Sequence, residues 1–306
     1  MGRAGDGIGV SATIDISAAP PAPAPRALQP FVPFDTKGYR ERASRVPGIE
    51  VVYAFDSGAE GSCPKAVPDG CADVVFGIGP RDVEVLVGGT VLAASDWRFD
   101  ANRTWVGCRF APGAALLPAG LAPQDIVGCD LRLPGDAYGG ALADGLARPA
   151  GAAARMALLE SALAGRVGAK RVRAGAGAAA LERYVRRRIY ATDGAISVSM
   201  LARECGVSER YLRRVFTRVH GISPKQFSCF VRFQRLLGLI AGEGTGGAEA
   251  GCVPGGADAD ADGVSVRDMA LACGYFDQAH LVHEFKRFTG STPERYRAFM
   301  KTRAQG

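Results

Sequence analysis

Ala202-Arg203-Glu204-Cys205-Gly206 returns 68 positions later as Ala270-Leu271-Ala272-Cys273-Gly274. Leu212, Phe216, Gly221, Pro224 and Phe227 return as Leu281, Phe285, Gly290, Pro293 and Tyr296 at an offset of 69, so one extra residue sits in the second turn. Each copy reads as a helix, a Gly-containing turn, a longer helix, then Gly and Pro. Ser199 and Ser265 are placed to cap the first helices, and Ser208 and Asp277 the second. Ala202 and Ala270 are small where two helices cross closely. Gly206 and Gly274 supply a turn conformation that side chains resist. Leu212, Phe216 and Val219 make one buried stripe, and Leu281, Phe285 and Phe288 the other. This is the plan of a duplicated helix-turn-helix, in which the second helix of each unit enters the major groove of DNA.

A pair of plain helical hairpins would not explain the outer face of the first reading helix. Arg210, Arg213, Arg214 and Thr217 stand at i, i+3, i+4 and i+7, opposite Leu212 and Phe216. Three guanidiniums on one face suit guanine edges or phosphate. The charge distribution agrees. Residues 1–180 hold 18 basic and 18 acidic residues, whereas 181–241 hold 12 and 4, and 264–306 hold 7 and 4. Between the two basic blocks, residues 242–263 carry 5 acidic residues and no basic ones. A neutral half joined to a basic half suggests a polyanion-binding module attached to something else.

The segment Ile196 to Phe299 resembles the DNA-binding domain of the AraC/XylS family of bacterial transcription regulators. The second unit carries the more specific signature, Gly274-Tyr275-Phe276-Asp277-Gln278-Ala279-His280-Leu281, then Phe285-Lys286-Arg287, Gly290, Pro293 and Tyr296-Arg297. The resemblance implies two helix-turn-helix units, about 197–221 and 264–290, joined by a linker helix over 224–241. It places base reading on Arg210, Arg213 and Arg214 in the first unit, with Thr217 on the same face. In the second unit it places it on Gln278, Ala279, Val282 and His283. Lys286 lies further along, better set for phosphate, with Arg287 beside it. The sequence departs from the family twice. Leu236 stands where a small residue is usual, and the acidic segment 242–263, read as a disordered insert, separates the linker helix from the second unit.

The rest of the chain reads as follows. Residues 1–30 are rich in Ala, Gly and Pro and read as a disordered tail. Short apolar runs at 51–55, 74–78, 83–91 and 105–110 are separated by turn residues, which predicts a β-sandwich or barrel over 31–140. An Ala- and Leu-rich helical stretch over 141–180 links it to the DNA-binding domain, 181–306. A helix from about Ala178 to Tyr190 leads into that domain and ends at Thr192-Asp193-Gly194. The overall class is therefore α+β and multidomain: a β-rich domain, then an all-α domain with two helix-turn-helix units. Pro68-Asp69-Gly70-Cys71-Ala72-Asp73-Val74-Val75-Phe76 and Gly107-Cys108-Arg109-Phe110-Ala111-Pro112-Gly113 resemble motifs of a cupin-like domain found ahead of such DNA-binding domains. That resemblance implies effector binding or dimerisation. Asp73, able to pair with Arg109, is one candidate for an effector site, and Trp97 and Trp105 are candidates to line it.

All three His lie in the DNA-binding region, at 220, 280 and 283, so the β-rich half has no histidine for acid–base chemistry or metal ligation. No G-x-x-x-x-G-K-[ST] run is present. The eight Cys are too sparse for a disulfide scaffold and read as reduced thiols. No apolar run is long enough to span a bilayer, and the N-terminus has no secretory pattern, so a cytoplasmic location without membrane attachment is expected. No cofactor or metal is expected. The expected partner is double-stranded DNA, with RNA polymerase, an unidentified small-molecule effector and a second copy of the chain as further partners. The alternative class is a DNA-alkylation-responsive methyl acceptor with the same reading domain. That chemistry needs paired C-x-x-C zinc spacing, which the chain lacks.

Overall fold

In the computed structural model, residues 27–33, 35–148, 151–173, 176–241, 266–275 and 277–304 are described. The tail up to residue 26, the acidic insert 242–263, Ser265 and Phe276 lie outside them, and so do the readings made on them.

Eight strands build the first half: β1 (Lys37–Ala43), β2 (Ile49–Asp56), β3 (Lys65–Ala66), β4 (Ala72–Ile78), β5 (Val83–Gly88), β6 (Ser95–Asp96), β7 (Thr104–Phe110) and β8 (Asp130–Pro134). Six of them form one antiparallel sheet in the order β1-β2-β7-β4-β5-β8, and β3 pairs with β6 in a separate ribbon. Period-two alternation sorts the side chains. Val52, Ala54, Val74, Phe76, Val106 and Cys108 face two helices, α1 (Gly140–Ala147) and α2 (Ala152–Arg173), which contribute Leu146, Leu159 and Leu163. Val51, Tyr53, Phe55, Val75 and Trp105 face the other way and meet Trp97 and Phe99, beside the ribbon. Two mid-strand glycines make room for this aromatic layer. A Cβ at Gly77 would lie 2.5 Å from the Trp105 ring, and one at Gly107 would collide with Tyr53.

The helical stretch expected from residue 141 is divided between α1 and α2. Arg148 leaves α1 with φ −59° and ψ 144°, the extended geometry forced on a residue that precedes proline, here Pro149.

The second half is α3 (Ala176–Ala191), α4 (Val198–Glu204), α5 (Glu209–His220), α6 (Pro224–Ala241), α7 (Val266–Ala272), α8 (Gln278–Thr289) and α9 (Pro293–Ala304). α4–α5 and α7–α8 are the duplicated units. Ser208 caps α5 by accepting from Tyr211 N, and Asp277 caps α8 by accepting from His280 N. The cap of α4 is Ser197, which accepts from Met200 N; Ser199 lies inside that helix. Both reading helices stop at a left-handed glycine, Gly221 at φ 76° and Gly290 at φ 74°.

α6 is the shared core. Its Phe227 packs on Phe216 of the first unit with ring centroids 5.5 Å apart, while Phe233 packs on Phe285 and Phe288 of the second at 5.7 and 4.9 Å. Leu236 is fully buried in the same cluster.

Residues 27–33, part of which was expected to belong to the tail, form a strap between the halves. Leu28 N donates to Gln234 Oε1 at 2.7 Å, and Gln234 Nε2 donates to Leu28 O at 3.2 Å and to Pro68 O at 2.8 Å. Gln29 Nε2 donates to Val67 O and to Asp69 Oδ2. Phe31 meets the rings of Tyr296 and Phe299 at 6.0 and 5.9 Å. Further junctions join the halves, two of them at Gly70 and Ala94. A Cβ at Gly70 would lie 2.7 Å from Phe227, and Ala94 N donates to Arg287 O at 3.0 Å.

Candidate nucleic-acid interface and effector cavity

α5 is buried along Leu212, Val215, Phe216 and His220 and exposes Arg210, Arg213 and Arg214, with Thr217 half-buried. The expected face therefore exists and is open. Its first residue, Glu209, was not singled out from the sequence. Its Oε2 accepts from Arg213 Nη2 at 2.5 Å, an i,i+4 pair legible in the spacing alone. Arg214 lies over the Tyr211 ring with its guanidinium carbon 5.1 Å from the centroid. Arg210 points into solvent from the same face.

α8 buries Leu281, Phe285 and Phe288. It exposes Gln278, Ala279, His283, Lys286 and Arg287 and leaves Val282 half-buried. The Arg287 guanidinium sits 4.4 Å from the Phe288 ring centroid, and its backbone carbonyl accepts from Ala94 N of the β-rich domain. Lys286, one residue earlier, carries its charge on the open side.

The base of α5 is held from α3. His220 Nε2 and Glu182 Oε1 are 2.9 Å apart, and Arg186 Nε donates to the same oxygen at 2.7 Å. Burial works against the Glu182 charge, but the His220 hydrogen bond and Arg186 prevail and hold its pKa down at about 2. On the other end of α3, Arg188 makes a two-pronged bond to Glu204 of α4. The arginines of α3 are thus split: Arg186 and Arg188 brace the first unit, while Arg183 and Arg187 are exposed.

In the β-rich domain, Asp73 and Arg109 sit opposite each other on β4 and β7, and Arg109 Nε donates to Asp73 Oδ2 at 3.2 Å. Tyr53 Oη donates to Asp73 Oδ1 at 2.9 Å. Asp69 approaches the same guanidinium at 3.9 Å. A cavity of about 30 Å3 opens on this group, lined among others by Gln29, Asp69, Asp73, Trp97, Arg109 and Asp130. That is room for a water molecule or two. Three of the four effector candidates therefore come together. The fourth, Trp105, does not: it is fully buried between Phe55 and Phe99 in the aromatic layer. Burial raises Asp73 above the usual carboxylate range despite Arg109, and it raises Asp130 too. Glu50, next to Cys71, is pushed up to about 7 by burial and then by the Asp69 charge.

Residues 191–227 and 260–298 match the family profile of bacterial regulatory helix-turn-helix proteins, AraC family. Among solved structures, the chain is similar to the C-terminal domain of AraT, a response regulator from Geobacillus stearothermophilus. The identity there is 21%, over 39% of this chain and 84% of that one, with a TM-score of 0.31. It is also similar to ToxT from Vibrio cholerae, at 11% identity over 86% of this chain and 99% of that one, with a TM-score of 0.38. A third likeness is to unsaturated fatty acid bound wild-type ToxT from Vibrio cholerae strain SCE256. It has 10% identity over 87% and 96% of the two chains and a TM-score of 0.36. No curated protein matches the chain.

Proposed function

From the premise that this chain carries an AraC-family helix-turn-helix domain and is a DNA-binding transcription regulator, we propose how it reads DNA and what its first domain senses. α5 and α8 each enter a major-groove segment, about one helical turn (~34 Å) apart. Arg210, Arg213 and Arg214 face bases in one segment, with Thr217 beside them. Gln278, Ala279, Val282 and His283 face bases in the other, and Lys286 holds phosphate. The observation that carries this is the pair of duplicated, capped helices, packed on one linker helix and presenting open, unlike polar faces. Arg287, exposed beside Lys286, is assigned to phosphate as well.

The deciding experiment is selection of sites from random DNA, followed by Arg213→Ala. The variant should cost ~1–3 kcal/mol at the preferred site and relax preference at one or two positions. An equal loss on every sequence would remove Arg213 from base readout.

The first domain is assigned effector binding at Asp73, Arg109 and Trp97, where the cavity has to widen beyond its ~30 Å3 to admit anything larger than water. A compound that raises the melting temperature of the chain, but not of Asp73→Asn, would support the assignment. One that stabilises both equally would not. Acting on DNA beside RNA polymerase places the protein in the cytoplasm, and a second copy of the chain is the further partner assigned to it. The methyl-acceptor reading is disfavoured. It needs paired C-x-x-C zinc spacing, which the chain lacks, and of the four cysteines of the β-rich domain Cys71 and Cys108 are buried, with thiols pushed well above their ordinary value, while Cys63 and Cys129 are exposed. Among the described residues no helix is long and apolar enough to cross a membrane.

A further inference from the structure

We propose that Glu209 determines sequence specificity, and that the two reading helices recognise half-sites of opposite composition, G·C under α5 and A·T under α8. This rests on the DNA-reading assignment above and deepens it. The repeat offset of 69 aligns Glu209 with Gln278 and Arg213 with Val282. Glu209 and Gln278 are the first residues of their helices, directly after the capping residues Ser208 and Asp277. Side chains at the N-terminal end of a reading helix are those that meet base edges.

In the first unit these two positions form one object. Glu209 and Arg213 are joined at 2.5 Å, with 40% and 54% of their side chains exposed. A pair this exposed adds only a few tenths of a kcal/mol to stability, so its consequence is geometric. It draws the guanidinium toward the start of the helix and sets an acceptor-only carboxylate beside a donor-only fork. In the major groove, guanine offers two acceptors, O6 and N7, and its cytosine partner offers the N4 amino donor. The couple presents the complement of that pattern. Adenine would set its N6 donor against the guanidinium, and thymine its methyl against the carboxylate. A carboxylate also repels phosphate, so this end of α5 faces bases rather than backbone. Arg210 and Arg214 flank the couple without pairing to Glu209, Arg214 being held over Tyr211.

In the second unit no such couple can form. The Gln278 amide carries both a donor and an acceptor and matches adenine N7 and N6. Val282, half-buried one turn on, offers an apolar surface to a thymine methyl. The same scaffold thus carries two chemistries.

The test is selection from random DNA with the purified full-length chain and with Glu209→Gln, Glu209→Ala and Gln278→Glu. The wild type should enrich two blocks about one turn apart, one G·C and one A·T. Glu209→Gln should lose discrimination at one G·C position by about tenfold, within the range of a good side-chain-to-base pairing, and leave the A·T block intact. Glu209→Ala should bind random DNA more tightly while discriminating less, since a negative charge leaves the interface. Gln278→Glu should weaken the A·T block alone. If the wild type enriches no motif, sequence-specific reading fails and this inference with it. If a motif appears and neither Glu209 variant changes it, or if affinity falls evenly on all sequences, the inference alone is overturned. Circular dichroism melts of the exposed-site variants separate a folding defect from a reading defect.

Discussion

Replacing Gln234 by Leu removes the bolt between the strap and the linker helix while keeping side-chain volume similar. Gln234 is 6% exposed and makes three hydrogen bonds, at 2.7, 2.8 and 3.2 Å. Each net bond is worth ~1 kcal/mol, and a buried group left without a partner costs ~1–3 kcal/mol. Water can reach Leu28, whose bonds are only partly buried, but the bond to Pro68 O is buried. That carbonyl therefore bears most of the penalty. Burying a leucine returns ~1 kcal/mol. The expected net loss is ~2–4 kcal/mol. Both tryptophans of the chain, Trp97 and Trp105, lie in the β-rich domain, so their fluorescence reports that domain alone, and far-UV circular dichroism reports the helices. In a urea titration the two signals should coincide for the wild type, and both should move to lower urea in Gln234→Leu. The strap should also become sensitive to protease. A shift under ~0.5 kcal/mol with unchanged proteolysis would refute the reasoning.

Three further outcomes are expected. Glu50 has its pKa raised from 4.5 to about 7, so the folded state holds its proton more tightly than the unfolded chain; its contribution is full below about pH 4.5 and is lost as pH rises through 7. Glu50→Gln cannot ionise and should flatten that dependence, gaining roughly 3 kcal/mol over wild type at pH 8 and little at pH 5, at ~1.4 kcal/mol per pKa unit; an equal effect at both pH values would exclude the assignment. Gly70→Ala places a Cβ against Phe227 at φ +80° and should cost ~1–3 kcal/mol by thermal unfolding, whereas an unchanged melting temperature would show that this junction has slack. Lys286→Ala should weaken all DNA sequences alike and reduce the salt slope by about 0.9, measured by anisotropy titration at several salt concentrations.

What could be read in advance was local. The caps Ser208 and Asp277, the terminating glycines 221 and 290 and the phenylalanine stripes each depend on neighbours a few residues away, and the duplication stated them twice. The Asp73–Arg109 pair was suggested by opposite charge alone; what sets them face to face is the antiparallel pairing of β4 with β7, two strands not consecutive in the chain, which no local pattern announces. The strap was not legible either. Leu28 and Gln234 are 206 positions apart, and an Ala- and Pro-rich stretch carries no periodicity that announces a long-range partner. Trp105 was read toward the cavity because an indole suits either a pocket wall or a core. Its place is decided by strand parity, which puts it on the aromatic face with Tyr53 and Phe55. Ser199 lost the cap to Ser197 because both stand near the start of α4, and only the backbone angles of Ser197, φ −78° and ψ 152°, fit the role.

The phenylalanines of α6 also bear on where this chain tolerates change. They seat the second reading unit directly on the linker helix through side-chain packing. The entropy of closing a chain connection between two packed elements rises slowly, by ~0.6 kcal/mol for each doubling of its length. Flexible residues added between residues 241 and 266 should therefore cost this fold little stability. The same reasoning makes this connection the natural place to splice in a tag, a fluorophore or a new chain terminus while both reading helices keep their seats.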